Sequence, residues 1–387
     1  TITGVNGKGF STLEGNPATG GDGLPQQLGL AILESQAAGT PLELKVKGLA
    51  GRSSLSVELP AMPDFDSTFS SSCPRTEKMV ELAAEWLDDH YGDTTGNTGN
   101  GYGTAFAGLA LLSTGDRKYR RTLQTLAKKL VSDIETSVPG SNWIACAYGI
   151  YLAEYHLATG SRAVLPALRE VCVELAKRIT PESGRLGHNG AELPYSGKGL
   201  VITSVHAHLM WALANQCGIH FNKIAWDLSY KAIEVSLSED GSVGYNFSAR
   251  GANQSMARTG CMATALNIAG ESRSDLRSME GFLEANYRRS TNGHATSSLG
   301  LIFGFMGTKQ AGERAHRTNM DYHRWLFALC TPFDEDDGAY YYSIRGNFGG
   351  DSYIGFEKVA NYQMLLLLNS MRNDTLWVFG NRTKDWY

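Results

Sequence analysis

The chain has 387 residues, 42% hydrophobic and 19% charged, which is enough for one large globular domain and a smaller one. A formal net charge of −4 and the absence of any basic run argue against a nucleic-acid partner. No apolar stretch reaches the roughly 18–20 residues of a membrane-crossing helix; the longest, "MLLLLNSM", reads as a buried helix.

Residues 1–62 differ from the rest. "TITGVNGKGF" reads as a strand with an Asn-Gly turn, and "GLPQQLGLAILESQAAG" as a helix ending on Gly39. "PLELKVKG" and "SSLSVELP" alternate apolar and polar residues as a strand pair. This order of elements, with "ITGVNGKGF" at its head, resembles the C-terminal part of a PDZ domain. That family's carboxylate-binding loop would lie upstream of Thr1, so the resemblance brings no peptide site with it. Thr1 in place of Met leads us to expect sequence upstream. Residues 63–74 read as a linker, and 75–387 as a second domain.

From Pro74 onward the pattern is helical. Twelve helices are expected, at about 75–90, 103–114, 117–136, 143–159, 162–178, 201–217, 223–236, 255–269, 273–288, 294–306, 312–330 and 358–371. Gly115, Gly160, Gly218, Gly270 and Gly307 each precede a polar restart and fit a left-handed helix cap. Odd-numbered helices are amphipathic and charged, as in "RKYRRTLQTLAKKLVSDIET". Even-numbered ones are almost uncharged: "GTAFAGLALLS" and "HATSSLGLIFGFM" have no Asp, Glu, Lys or Arg. A helix without a charged face is buried on every side. Six wet helices alternating with six dry ones make a mainly α fold, an (α/α)6 toroid of six helical hairpins with an outer and an inner ring.

The connections alternate as well. Those after inner helices are short, whereas 91–102, 179–200, 237–253 and 331–355, which lead into inner helices, are long. The long loops should therefore gather on one face, where inner-helix N-termini favour a ligand with negative charge.

Three long loops align on one glycine: "ESGRLGHN" on Gly184, "EDGSVGYN" on Gly241 and "DDGAYYYS" on Gly338. Gly293 of "STNGHATS" makes a fourth, and the steps are 57, 52 and 45 residues. Asp337 is then a copy of a repeated Asp-Gly turn whose sibling is Asp240. Asp334-x-Asp336-Asp337 also matches the D-x-D-D of class II terpene cyclases, whose middle acid protonates an alkene. The Asp-Gly turn in turn resembles the punctuation of squalene-cyclase and prenyltransferase repeats. Asp334 and Asp336 are unexplained by the repeat and stay open as acids or ligands.

Four residues past the glycine stand His188, Tyr245 and Tyr342, and His294 directly follows Gly293. These should ring one mouth, with Asn189, Glu192 and Tyr195 beside His188. His206 and His208 are two apart on one inner helix, so at most one faces the centre, and they are not a zinc pair. A core hydrogen bond would account for either. Arg258 is the one permanent cation inside the uncharged helices and needs an anion, from a structural carboxylate or a substrate. Mouth aromatics such as Tyr102, Tyr245 and Phe247 could stack on sugars or simply pack. Six scattered cysteines without a C-x-x-C read as buried thiols, with a disulfide left open. No metal set emerges, and neither cofactor nor oligomeric state can be named.

Taken together, the start of the chain, "NGHATSSLGLIFGFMG" and "MDYHRWLFALCTPFDEDDGAYYY" resemble a group of exported bacterial proteins that join a PDZ-like segment to an α/α toroid. The resemblance implies export and the toroid, without a reaction. Toroids of this kind serve polysaccharide lyases, glycosidases, terpene cyclases, prenyltransferases and binding proteins. The leading expectation is a lyase on an acidic polysaccharide. His188, Tyr195, Tyr245, His294 and Arg258 would be its catalytic groups, and Asn189, Glu192, His206, Asn253, Tyr342 and Asp336 its substrate contacts. A hydrolase would need two opposed carboxylates, from Glu192, Glu239 or the 334–337 run, because the inner helices offer only Glu154 near a far end. A non-catalytic glycan- or protein-binding toroid and a terpene-cyclase-like enzyme are the alternatives.

Overall fold

The computed structural model describes residues 1–10, 23–92, 101–190, 199–245, 247, 255–271, 273–291, 293, 297–331, 358–372 and 375–387. The N-terminal unit is an antiparallel sheet of order β2-β1-β3-β4 with one helix. Its strands are β1 (Ile2–Val5), β2 (Lys8–Gly9), β3 (Leu42–Gly48) and β4 (Gly51–Val57), and its helix is α1 (Leu24–Ala38). Asn6 and Gly7 turn β1 into β2 with φ of 44° and 79°, the sign that a two-residue hairpin requires at both positions. The Asn6 side chain accepts from the Glu43 amide and donates to Ser35, tying the hairpin to β3 and α1. Val5, Ala31 and Leu42 form a small core of their own.

Every expected helix of the second region is present. They are α2 (Pro74–Gly92), α3 (Gly101–Ser113), α4 (Arg120–Thr136), α5 (Asn142–Thr159), α6 (Leu165–Lys177), α7 (Val201–Gln216), α8 (Lys223–Glu234), α9 (Met256–Ala269), α10 (Ser274–Asn286), α11 (Ser297–Ala311), α12 (Glu313–Tyr322), α13 (Arg324–Leu329) and α14 (Lys358–Arg372). The eleventh expected helix is broken into α12 and α13 at His323, whose ring Nδ1 lies 2.8 Å from the Asn319 carbonyl. The uncharged helices pack in sequence, α3 to α5, α7, α9, α11 and α14, and α14 returns to α3 to close the inner ring. Tyr102–Ser113 of α3 and Ser297–Thr308 of α11 are buried throughout, as an inner ring demands.

Gly115, Gly160, Gly218 and Gly270 take left-handed conformations at inner-helix ends. Gly307 does not cap a helix, contrary to expectation. It lies inside α11, where a Cβ would run into the Cα of Gly260, so its smallness lets α9 and α11 touch backbone to backbone.

Residues 375–387 cross one end of the ring. Thr375 donates to the Ser113 carbonyl, and the Asp385 and Tyr387 amides donate to the carbonyls of Leu157 and Ala158. Lys384 reaches the Gln216 carbonyl, Arg382 the Asn267 side chain, and Gln310 the Val378 carbonyl. These partners are the C-terminal ends of α3, α5, α7, α9 and α11, so all five helices point the same way and the segment covers that face. Glu154 anchors it, its carboxylate accepting from the amides of Trp377 at 3.1 Å and Val378 at 2.8 Å. Burial pushes the Glu154 carboxyl up to about 7 against those two donors. The N-terminal unit docks elsewhere, α1 lying on α13 so closely that a Cβ on Gly29 would collide with the Trp325 carbonyl oxygen.

Candidate functional site at the inner-helix N-termini

Opposite the covered face, two of the aligned turns are described. Gly184 and Gly241 have φ of 71° and 85°, and a Cβ on either would strike the carbonyl oxygen of Leu228 or Ser278. Each turn thus seats on the backbone of the following outer helix, α8 or α10, a position open only to glycine. Asp240 accepts from the Ser242 amide at 3.0 Å and hydroxyl at 2.7 Å, so it closes its own turn. Its sibling Asp337 lies outside the described residues, as do Asp334, Asp336, Glu192, Tyr195, Asn253, His294 and Tyr342.

His188 is fastened to the start of α5. The Asn142 amide donates to its carbonyl at 2.7 Å, and the Asn142 side chain donates to the carbonyls of Gly187 and Gly190. Trp143 donates its indole N–H to His188 Nδ1 at 2.8 Å. An indole nitrogen is a donor only, so Nδ1 must be bare and the neutral ring carries its proton on Nε2. While that bond holds, His188 donates and has no basic nitrogen to offer, so a catalytic role for it would be that of a donor. Partial burial lowers its pKa further. Asn189 beside it is exposed.

His206 and His208 face different ways, as their spacing required. His206 is fully buried, its Nδ1 2.6 Å from the Ile202 carbonyl and its Nε2 3.3 Å from the Tyr102 hydroxyl. Nδ1 therefore donates and Nε2 accepts from the phenol. Burial pushes this imidazole down to about 4. It is packed on Phe303 with ring centroids 4.4 Å apart, and on Trp143 at 5.4 Å. Tyr102 stacks on Phe106, which meets Phe303 and Tyr362. Side chains from α3, α7, α11 and α14 so form an aromatic floor one turn below the mouth. Tyr102 and Phe247, for which both sugar stacking and packing were open, are each 1% exposed and so pack. His206 is part of that floor and is not an exposed substrate contact.

His208 turns outward against Trp226 and Trp211, with neither nitrogen hydrogen-bonded, and is pushed down to about 3 mainly by burial.

Arg258, 1% exposed on the first turn of α9, donates through Nε to the Val243 carbonyl at 3.1 Å. Its guanidinium lies 5.5 Å from the centre of the Tyr245 ring. The Val243 amide in turn donates to Thr259, so α9 grips this loop at two consecutive positions. Arg258 and Tyr245 are brought together, on the same end of the ring as His188. Trp143, which orients His188, was not anticipated. Its signal is positional: like Tyr102, it is an aromatic at the second residue of an uncharged helix.

All six cysteines are buried free thiols. Among the described residues no cluster of His, Cys, Asp or Glu is placed to hold a metal, and no helix is long and apolar enough to cross a membrane.

Solved structures share the fold. The unsaturated glucuronyl hydrolase of Bacillus sp. GL1, responsible for the degradation of glycosaminoglycan, superposes with a TM-score of 0.57 at 12% identity, over 79% of this chain and 98% of that one. An inactive variant of an α-1,6-mannanase of Salegentibacter sp. HEL1_6, in complex with α-1,6-mannotriose, gives 0.53 at 10% identity, over 76% and 99%. A family 76 α-mannanase of Bacteroides thetaiotaomicron gives 0.52 at 11% identity, over 76% and 95%. These likenesses establish the (α/α)6 toroid. No curated protein matches the sequence. Residues 76–380 match the family model described as a domain of unknown function, DUF6288, and the chain belongs to that family.

Proposed function

We propose that the protein acts on an acidic polysaccharide held at the end of the toroid where the inner helices begin, by a lyase-type elimination. The observation that carries this reading is Arg258, a buried cation on the first turn of an inner helix, set against the Tyr245 ring at that end. Helix N-termini there add to the positive field. In an elimination Arg258, itself 1% exposed, would act through its field across the Tyr245 ring and stabilise the negative charge that develops as the α-proton leaves. Tyr245 is the described side chain of the right type to take that proton, and His188 supplies an Nε2–H donor. The mannanases and the glucuronyl hydrolase lend support as toroids of this shape that are named for carbohydrate degradation. Export, implied by the sequence resemblance, belongs to the proposal, as does the division into a PDZ-like unit at 1–62, a linker and a toroid.

The test is incubation with a panel of uronate-containing and sulfated glycans. Elimination yields an unsaturated, ultraviolet-absorbing product, whereas hydrolysis yields reducing ends alone. A protein that neither binds nor cleaves any glycan of the panel would refute the proposal.

A second reading draws on the aromatic floor of Tyr102, Phe106, Phe303 and Tyr362, the kind of lining that stabilises carbocations. It makes Asp336 the proton donor of a terpene cyclase. Turnover of an isoprenoid panel that Asp336→Asn abolishes would support it.

A further inference from the structure

A groove of about 400 Å³ lies where the N-terminal unit meets the linker, lined among others by Gln36, Thr40, Glu58, Pro60, Met62 and Pro63. Junctions of this size and position are common ligand sites. Its electrostatics have one sign. The fifteen-residue helix α1 ends there at Gly39, with no basic residue in its last turn to offset the negative end of its dipole. Glu58 adds a carboxylate at the same groove. Among the described residues no lysine or arginine lines it. Arg75 stands behind the lining residue Gln36 but is itself fully buried; it donates to Gln36 at 2.7 Å and to Thr331 at 3.1 Å, with Asp64 close enough to favour its charge.

The walls are apolar, from Leu59, Pro60, Met62 and Pro63, while the negative features sit at the helix end and at Glu58. An apolar stem carrying a terminal cation matches that arrangement, and this is the build of a lysine or arginine side chain. The groove is also firmly held. Gln36 donates to the Pro60 carbonyl at 3.2 Å while accepting from Arg75, so one side chain ties α1, the segment after β4 and α2 together.

We propose that this groove docks a lysine or arginine side chain presented on an extended segment of a partner polypeptide. The site is independent of the glycan reading and stands or falls apart from it. Met62 offers a built-in reporter, because it lines the groove. The experiment is a methionine-methyl NMR titration of the intact chain with acetyl-Gly-Arg-Gly-amide, using acetyl-Gly-Glu-Gly-amide as control. The arginine peptide should shift the Met62 resonance saturably and the glutamate peptide should leave it in place. Glu58→Gln should weaken the arginine peptide about threefold, the scale of one exposed charge interaction. No Met62 shift with the arginine peptide, an equal response to both peptides, or indifference to Glu58→Gln would each overturn the proposal. Agmatine binding as tightly as the peptide would overturn the assignment to a polypeptide.

Discussion

Trp143 donates its indole N–H to Nδ1 of His188 across 2.8 Å, and this one bond determines where the imidazole keeps its proton. Forming the imidazolium would set two N–H groups against each other, so the donor opposes protonation in addition to burial. Trp143→Phe keeps the packing and removes the donor. The His188 pKa, followed by imidazole NMR, should rise in the variant. An unchanged titration would mean that the bond does not control the ring.

Docking of the N-terminal unit depends on a missing side chain. A Cβ at Gly29 would meet the Trp325 backbone, which cannot step aside as a flexible side chain would. Gly29→Ala should therefore destabilise the protein by about 1–3 kcal/mol, the usual cost of overpacking. Gly48 has nothing within 4 Å of a built Cβ, so Gly48→Ala is the control and should be nearly neutral. Equal urea midpoints for the two variants would contradict the packing described for α1 on α13.

Four buried imidazoles make stability depend on pH. His208 and His316 are pushed down to about 3, and His206 and His323 to about 4, all mainly by burial. Their folded values lie below the unfolded value of about 6.5, so the unfolded chain binds more protons between the two. Their contribution is whole above about pH 6.5 and drains away as pH falls towards 4 and then 3, at about 1.4 kcal/mol per pH unit for each proton. Glu154, raised to about 7, acts in the opposite sense. The fold keeps its proton where the unfolded chain loses it, so its contribution shrinks as pH rises from about 4.5 to 7. The histidines outnumber it, and urea midpoints should fall between pH 6.5 and 4.5. His208→Phe removes two unpaired nitrogens and should flatten that fall without loss at neutral pH. An unaltered pH slope in this variant would show that His208 is not buried neutral.

The covering of the far end can be tested at its anchor. Glu154→Ala leaves the Trp377 and Val378 amides without their acceptors in a buried place. Each stranded donor costs about 1–3 kcal/mol, so the variant should lose about 2–6 kcal/mol. Glu154→Gln, which retains one carbonyl acceptor, should lose less. Proteolysis within 375–387 should rise in the alanine variant first.

The toroid was legible because burial leaves a compositional trace. An inner helix meets protein on every side, so "GTAFAGLALLS" and "HATSSLGLIFGFM" carry no charge, and short connections after them fix the hairpins. The Gly184 and Gly241 turns were legible for a related reason, since both conformation and close packing there demand glycine. Gly307 was misread because a glycine kept for helix contact looks the same in sequence as one kept for a cap. The site was harder to read. Trp143 and His188 are 45 residues apart, and no spacing rule reports which ring nitrogen receives the indole proton. Likewise Tyr102 looked like a loop aromatic, until its place on the first turn of α3 put its hydroxyl against His206.

Arg258 separates the structural from the functional account of the mouth. Its Nε bond to the Val243 carbonyl is structural, and losing a charge-assisted bond of this kind costs about 1.5–3 kcal/mol. Arg258→Ala should therefore lower the unfolding free energy by about that much. A loss beyond about 3 kcal/mol would instead fit a cation paired with a buried acid, whose removal strands a charge. Arg258→Lys keeps the charge but gives up the planar fork and its stacking on Tyr245. If the charge of this buried residue serves a uronate at the mouth, Arg258→Ala should bind uronate glycans at least about tenfold more weakly, and the lysine variant less so, with the smaller loss of stability. Neutral glycans should not distinguish the variants from the wild type. Thermal unfolding and glycan binding measured on the same samples place each variant on both axes. Two variants that lose stability yet bind uronate glycans as the wild type does would confine Arg258 to holding the 243–245 loop on α9.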